Sequence, residues 1–298
     1  SWVDPQRMEE YNIRLFSTPG LEHVGDFGSK SVFRVAPVES ASPADLRVEA
    51  AAPRAVPPGA GFDLGLLVSN PNPTPMVCVE EEHQGFKLVL EGAEGQVVEL
   101  PGNYRPPFFV DVGETVSLPL QVGRAVPPGS YRAELRLKGG VLGERSFEFP
   151  LEVAEVPDWD RGELLGGTVT VSSPELSLPG PDGLYPVAVV TVTNSGGAMW
   201  RALKQKEDFS LQPGSAYLGL TWTAKDGAVW EQQSCSLPCD LSPGQSVEVP
   251  LLARPPGAPG EYRLDLGIYV VGGGWIVPPV RLEVTVEGWT EAVAAEAA

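Results

Sequence analysis

Apolar and polar residues alternate in short stretches along this chain, and each stretch is broken by Pro or Gly. Residues 131–137 place Tyr131, Ala133, Leu135 and Leu137 on one face and Arg132, Glu134 and Arg136 on the other. Residues 262–268 do the same with Tyr262, Leu264, Leu266 and Ile268 facing together. In 217–224, Trp222 falls in step with Leu218 and Leu220, which assigns it to a core-facing row. Two further stretches, 62–70 and 186–194, are apolar almost throughout and end in Asn70 and Asn194. Asn tolerates left-handed backbone angles and bonds to its own chain, which suits the end of a strand. A period of two predicts strands over most of the length.

The strand pattern repeats. Residues 113–137 (GETVSLPLQVGRAVPPGSYRAELRL) align without a gap on residues 244–268 (GQSVEVPLLARPPGAPGEYRLDLGI). The offset is 131, with nine identities in 25 positions, Pro128/Pro259, Gly129/Gly260 and Tyr131/Tyr262 among them. Each copy reads as a strand, a Pro-Gly turn and a second strand. A period this long is not a solenoid. It indicates two copies of one β domain, and many short strands with regular turn signals indicate sandwiches. The predicted fold class is all-β, two tandem Ig-like β-sandwiches with an N-terminal extension. The expected divisions are an arm (1–45), a first sandwich (46–155), a linker (156–163), a second sandwich (164–287) and a tail (288–298). Within the arm, 5–16 reads as a short helix, or as a strand from Tyr11 to Phe16, and 21–35 as a hairpin. The arm is expected either to add an edge strand to the first sandwich or to dock onto a partner.

Composition narrows the class. The chain has 298 residues with 34 Gly and 31 Pro, and that proline density excludes a helical protein. An apolar fraction of 42% excludes a disordered one. Lys and Arg total 21 against 39 Asp and Glu, a net charge of −18. With no concentrated basic patch, nucleic acid and anionic membrane surfaces are disfavoured partners. No apolar run approaches the roughly 20 residues of a membrane span, so no transmembrane segment is expected. The expected location is the cell envelope, extracytoplasmic or peripheral to a membrane, with a cytoplasmic location left open.

The second copy carries further marks. They are VTVTNSGGAMW (190–200), YLGLTWTAKDG (217–227), LPCDLSPGQSVEVPLLARPPGAPGEYRLDL (237–266) and Gly274-Trp275. Together, and most clearly over 185–285, these resemble the Ig-like β-sandwich domains of bacterial envelope and glycan-related proteins. That group includes the NBR-one-type Ig-like domain and modules appended to glycosyltransferases. The resemblance implies an Ig-like sandwich, a fold that hosts many roles. The first copy keeps only the second half of the pattern.

Candidate chemistry is sparse. Six of the seven Trp lie at or beyond residue 159, so a stacking platform for sugar rings belongs to the second copy, where Trp200 and Trp275 are the candidates. Tyr11, Phe16 and Phe27 of the arm, with Tyr104, Phe108 and Phe109 of an aromatic, proline-rich loop, are the candidate protein contacts. Asp158, Asp160 and Glu163 around the linker form a weak calcium candidate beside the alternative of a solvated linker. Cys235 and Cys239 enclose three residues. A tight turn would bring them within disulfide reach and an extended chain would not, and the sequence leaves both open. Cys78 is expected to be a free, buried thiol. No nucleophile elbow, zinc motif, phosphate loop or dinucleotide fingerprint occurs, so no cofactor is expected. The expected function is a non-enzymatic accessory subunit that docks onto protein partners in a larger membrane-associated or envelope complex. The alternative is a glycan-binding module.

Overall fold

A computed structural model describes residues 21–27, 30–35, 45–77, 84–104, 109–140, 142–157, 165–172, 175–178, 185–202, 212–276 and 278–287. A hairpin comes first, β1 (Leu21–Phe27) and β2 (Lys30–Val35). Next follow β3 (Arg47–Ala51), β4 (Ala55–Val56), β5 (Phe62–Ser69), β6 (Met76–Val77), β7 (Gln84–Gly92) and β8 (Val97–Tyr104). After them come β9 (Phe109–Val110), β10 (Thr115–Val122), β11 (Gly129–Leu137) and β12 (Arg145–Val153). The second half holds β13 (Gly167–Val171), β14 (Glu175–Leu178), β15 (Tyr185–Asn194), β16 (Arg201–Ala202) and β17 (Ser215–Ala224). It closes with β18 (Val229–Ser236), β19 (Ser246–Ala253), β20 (Gly260–Val270), β21 (Gly274–Trp275) and β22 (Val280–Val286).

These strands make two Ig-like β-sandwiches. In the first, the sheet β10-β5-β3 faces the sheet β4-β12-β11-β7-β8. In the second, β13-β15-β19 faces β14-β22-β20-β17-β16, with β18 on the flank of β17 and β21 on that of β20. The alternation read from the sequence sets the inner faces. Tyr131, Ala133, Leu135 and Leu137 are buried, and so are Tyr262, Leu264, Leu266 and Ile268. Trp222 is 0% exposed, as its row predicted, and meets Tyr262 edge to face with ring centroids 6.2 Å apart. The hairpin expected over 21–35 forms, with a bulge between His23 and Gly25. Among the described residues it pairs only with itself.

The repeat survives as hydrogen bonds, position for position. Asn70 donates from Nδ2 to the carbonyls of Thr74 and Val110, as Asn194 does to those of Ala198 and Leu241. The Gly113 amide donates to Asn70 O at 2.8 Å, and the Gly244 amide to Asn194 O at 2.7 Å. Both glycines sit at positive φ, 72° and 73°, where a side chain would be strained. Tyr131 Oη donates to Pro127 O at 3.0 Å, and Tyr262 Oη to Ala258 O at 2.8 Å. Each phenol thus ties its strand to the turn four residues before it, the corner motif of Ig-like sandwiches.

One strand breaks the alternation. From Phe62 to Val68 every residue of β5 is buried. Phe62, Leu64, Leu66 and Val68 fill the first core. Asp63, Gly65 and Leu67 face the opposite way and are covered too. A strand with both faces out of water reads as a continuous apolar run. The second cover is supplied by the other sandwich: a Cβ built on Gly65 would lie 2.2 Å from Pro238 O.

Candidate functional site

Asp63 and Gly65 of β5 are covered by a loop of the second sandwich, Leu237–Gln245, which joins β18 to β19. Pro at 238 and 243 and the positive-φ Gly244 hold this loop in a compact course. Its polar side chains reach the backbone of the first sandwich. Gln245 Oε1 accepts from the Arg54 amide at 3.0 Å, and Gln245 Nε2 donates to Ala52 O at 2.6 Å. Ser242 Oγ accepts from the Ala55 amide at 2.9 Å and donates to Ala55 O at 2.8 Å. The Asp240 amide donates to Asp63 O at 3.1 Å, and Asp240 Oδ2 accepts the Asp63 amide at 3.3 Å. The carboxylate is wholly buried. It also accepts Arg201 Nη1 at 3.1 Å and the Ala202 amide at 2.8 Å. A buried charge is tolerated only when it is paired and bonded in this way.

The junction also mixes the two cores. Met199 packs with the first cluster and Ala51 with the second. Cys239 sits in the second cluster, and burial above all, then Asp240 and Asp63, raises its thiol well above the usual range. Beside the junction lies a shallow cleft of about 220 Å³, lined by Val112, Gly113 and Thr115 of the first sandwich and by Val187–Val189 and Pro250–Leu252 of the second.

No model of a known protein family matches the chain. No curated protein matches it either. Solved structures similar to it include a Salmonella alpha-2-macroglobulin mutant, at 14% identity over 84% of this chain and 15% of that one, TM-score 0.24. Dimeric latent PorU from Porphyromonas gingivalis matches at 11% identity over 81% of this chain and 20% of its own, TM-score 0.30. Trypsin-activated alpha-2-macroglobulin from Escherichia coli matches at 12% identity over 84% of this chain and 16% of its own, TM-score 0.24. The chain spans well under two thirds of each of these proteins.

The structure separates the two Trp residues expected to act together. Trp200 is 0% exposed and packs its ring against Gly167, where a Cβ would lie 2.3 Å from Trp200 Cη2. An isolated backbone bridge to Leu241 folds it inward, so it is a core residue and not a glycan contact. Trp275 remains 51% exposed, beside Tyr269. Tyr104 is also corrected. It ends β8 on the same face as Leu100 and is 2% exposed, so it belongs to the first core and not to a contact surface. Phe109 pairs with Val77 through the backbone, and Phe27 closes β1 opposite Lys30. Tyr11, Phe16, Phe108, Cys78 and the calcium candidates Asp158, Asp160 and Glu163 lie outside the described residues. Cys235 and Cys239 are free thiols. Cys235, in β18, has its Sγ 3.5 Å from Pro250 O, while Cys239 turns into the core beyond the strand end.

The junction residues were missed because the loop reads as ordinary turn chemistry. A signal exists in the repeat. Gln245 occupies the place of Glu114, and Ser242 that of Asp111. The local bond is kept in both copies: the amide of 111 donates to Glu114 Oε2 at 2.7 Å and that of 242 to Gln245 Oε1 at 3.2 Å. The second copy replaces two carboxylates with groups that also donate, and both use that donor on the first sandwich.

Proposed function

We propose that the chain is a non-catalytic architectural module, a pair of sandwiches held stiffly together, that docks onto protein partners of a larger envelope-associated assembly. The observation that carries this reading is the junction. Asp240, Ser242 and Gln245 direct bonds across to backbone groups from Ala52 to Asp63, and β5 is sealed on both faces. Such a contact fixes one sandwich on the other, which suits a spacer or adaptor. The acidic surface, net charge −18, favours basic partner surfaces by charge complementarity. No helix among the described residues is long and apolar enough to cross a membrane. In this reading contact with the envelope comes through the partner.

Native purification of the full chain, with mass spectrometry of associated chains, tests the proposal. Reproducible partners that are lost on deletion of residues 1–45 support docking through the arm. Recovery of the chain alone from its native source would overturn the docking role.

A further inference from the structure

The outer face of the second sandwich carries an arrangement that its packing does not use. β17, β20 and β21 lie side by side, and register places Tyr217 opposite Tyr269 and Tyr269 opposite Trp275. The ring centroids of Tyr217 and Tyr269 are 5.3 Å apart, and those of Tyr269 and Trp275 are 5.4 Å apart at 81°. The next outward position holds no side chain in either strand, because Gly219 faces Gly267. Trp275 uses that gap. A Cβ built on Gly219 would lie 2.4 Å from Trp275 Cη2. β20 lies between β21 and β17, and its residue in register with Gly219 is Gly267, so no side chain stands in the indole's way. Tyr269 stands at its edge as a wall. The indole thus rests its outer ring over Gly219 and the residue still stays 51% exposed.

The same outward rows continue into polar residues. Arg263 faces Glu283, and Asp265 faces Arg281. Asp265 accepts from Arg263 Nε at 3.0 Å and pairs with Arg281 Nε at 3.4 Å. Both guanidinium groups meet this carboxylate through Nε, on side chains that stay 38% and 66% exposed. Asp265 and Tyr269 are four residues apart on β20, about 13 Å at the usual strand rise.

We infer that this corner is a binding site for a neutral polysaccharide, with a hexopyranose ring of equatorial hydroxyls stacked on Trp275. Such a sugar presents axial C–H groups on a flat face and hydroxyls around its rim. The C–H face suits the negative face of an indole, and a few polar groups alongside fix orientation. Trp275 supplies the first, and the arginines held by Asp265 supply donors for hydroxyls further along the chain. Charge selects the uncharged ligand. Arg263 and Arg281 stand opposite Glu283 and Asp265, so the face has no net positive charge, and a chain of net charge −18 repels polyanions.

The test uses the full chain in native gels containing a soluble neutral β-glucan, hydroxyethylcellulose, or a polyanion, alginate. The expected result is retardation by hydroxyethylcellulose that persists in about 0.5 M salt, where surface charge effects are screened. Trp275→Ala should weaken it about tenfold or more, the loss of one stacked ring. Gly219→Ala is the second variant. It retains every aromatic group and has an ordinary backbone, but it displaces the indole, and it should weaken retardation severalfold. Circular dichroism checks that each variant is folded. No retardation by the neutral glucan overturns the proposal. So does retardation by alginate alone, or undiminished retardation in folded Trp275→Ala. Should Trp275→Ala fail to fold, undiminished retardation in Gly219→Ala overturns it.

Discussion

Gln245→Glu replaces a junction residue with the one found at the same place of the first copy, and it changes a single atom. The Oε1 acceptor for the Arg54 and Ser242 amides is retained. The donor to Ala52 O at 2.6 Å is lost, and an anionic oxygen is brought against that carbonyl. Losing the bond costs about 1 kcal/mol net. The residue is 7% exposed, so the charge is also buried. Burial and the facing carbonyl raise the new carboxyl's folded-state pKa above its unfolded value of about 4.3. An anionic oxygen left unbonded against a buried carbonyl adds about 1–3 kcal/mol, so the expected deficit near neutral pH is about 2–4 kcal/mol. The sign of the pH dependence follows. Below the unfolded pKa the group is protonated in both states and can donate to Ala52 O, so the deficit is small. It grows as pH rises through the window between the unfolded and folded pKa values, and is complete above it. Urea unfolding of wild type, Gln245→Glu and Gln245→Ala across that range is the assay. Gln245→Ala loses the same bond without a charge, so its deficit should not vary with pH in this way. A Gln245→Glu variant as stable as wild type at neutral pH would refute the reasoning, as would a deficit indifferent to acid.

Other expectations concern single groups. Asp240→Ala strips a buried acceptor from Arg201 and two amides and should cost about 3–5 kcal/mol in urea unfolding. Adding Arg201→Met should recover about 1 kcal/mol or more, and strict additivity of the two would argue against the pair. Tyr131→Phe and Tyr262→Phe should each lose about 1 kcal/mol and sum in the double variant, since the two corners lie in different cores. Unequal losses would show that the repeat is not matched in energy. Cys239 should resist alkylation in the native protein while Cys235 reacts, with both labelled after unfolding. Mass spectrometry showing equal native labelling would contradict the burial of Cys239.

Local pattern carried the sandwiches. The Tyr-initiated alternations at 131 and 262 face the cores as read, Trp222 is buried with its row, and Asn70 and Asn194 end their strands with matching bonds. What failed depended on distant partners. Trp200 follows a Gly-rich loop and reads as a loop residue, yet Leu241 bridges its backbone and draws it inward. Tyr104 shares the alternation of Leu100, but the prolines after it suggested a loop. The junction was hidden for a related reason. Ser242 and Gln245 satisfy turn chemistry within their own copy, and nothing local reveals that each has a spare donor aimed at the other sandwich. The exposed corner at Trp275 needed the register of β17 against β20, because only that pairing brings Gly219 beside Gly267.

The exchange of Met199 and Ala51 between the two cores bears on how the protein can be divided. A cut between the halves would give neither one a complete interior. The first half would lose a methionine from its core and the cover of Asp63, Gly65 and Leu67, leaving Leu67 and the backbone at Gly65 open to water. The second half would lose Ala51 and keep Asp240, Ser242 and Gln245 without the groups they bond. Though built from a repeat, the two halves share their interiors at this junction, and either half expressed alone is expected to unfold at a lower urea concentration than the whole chain.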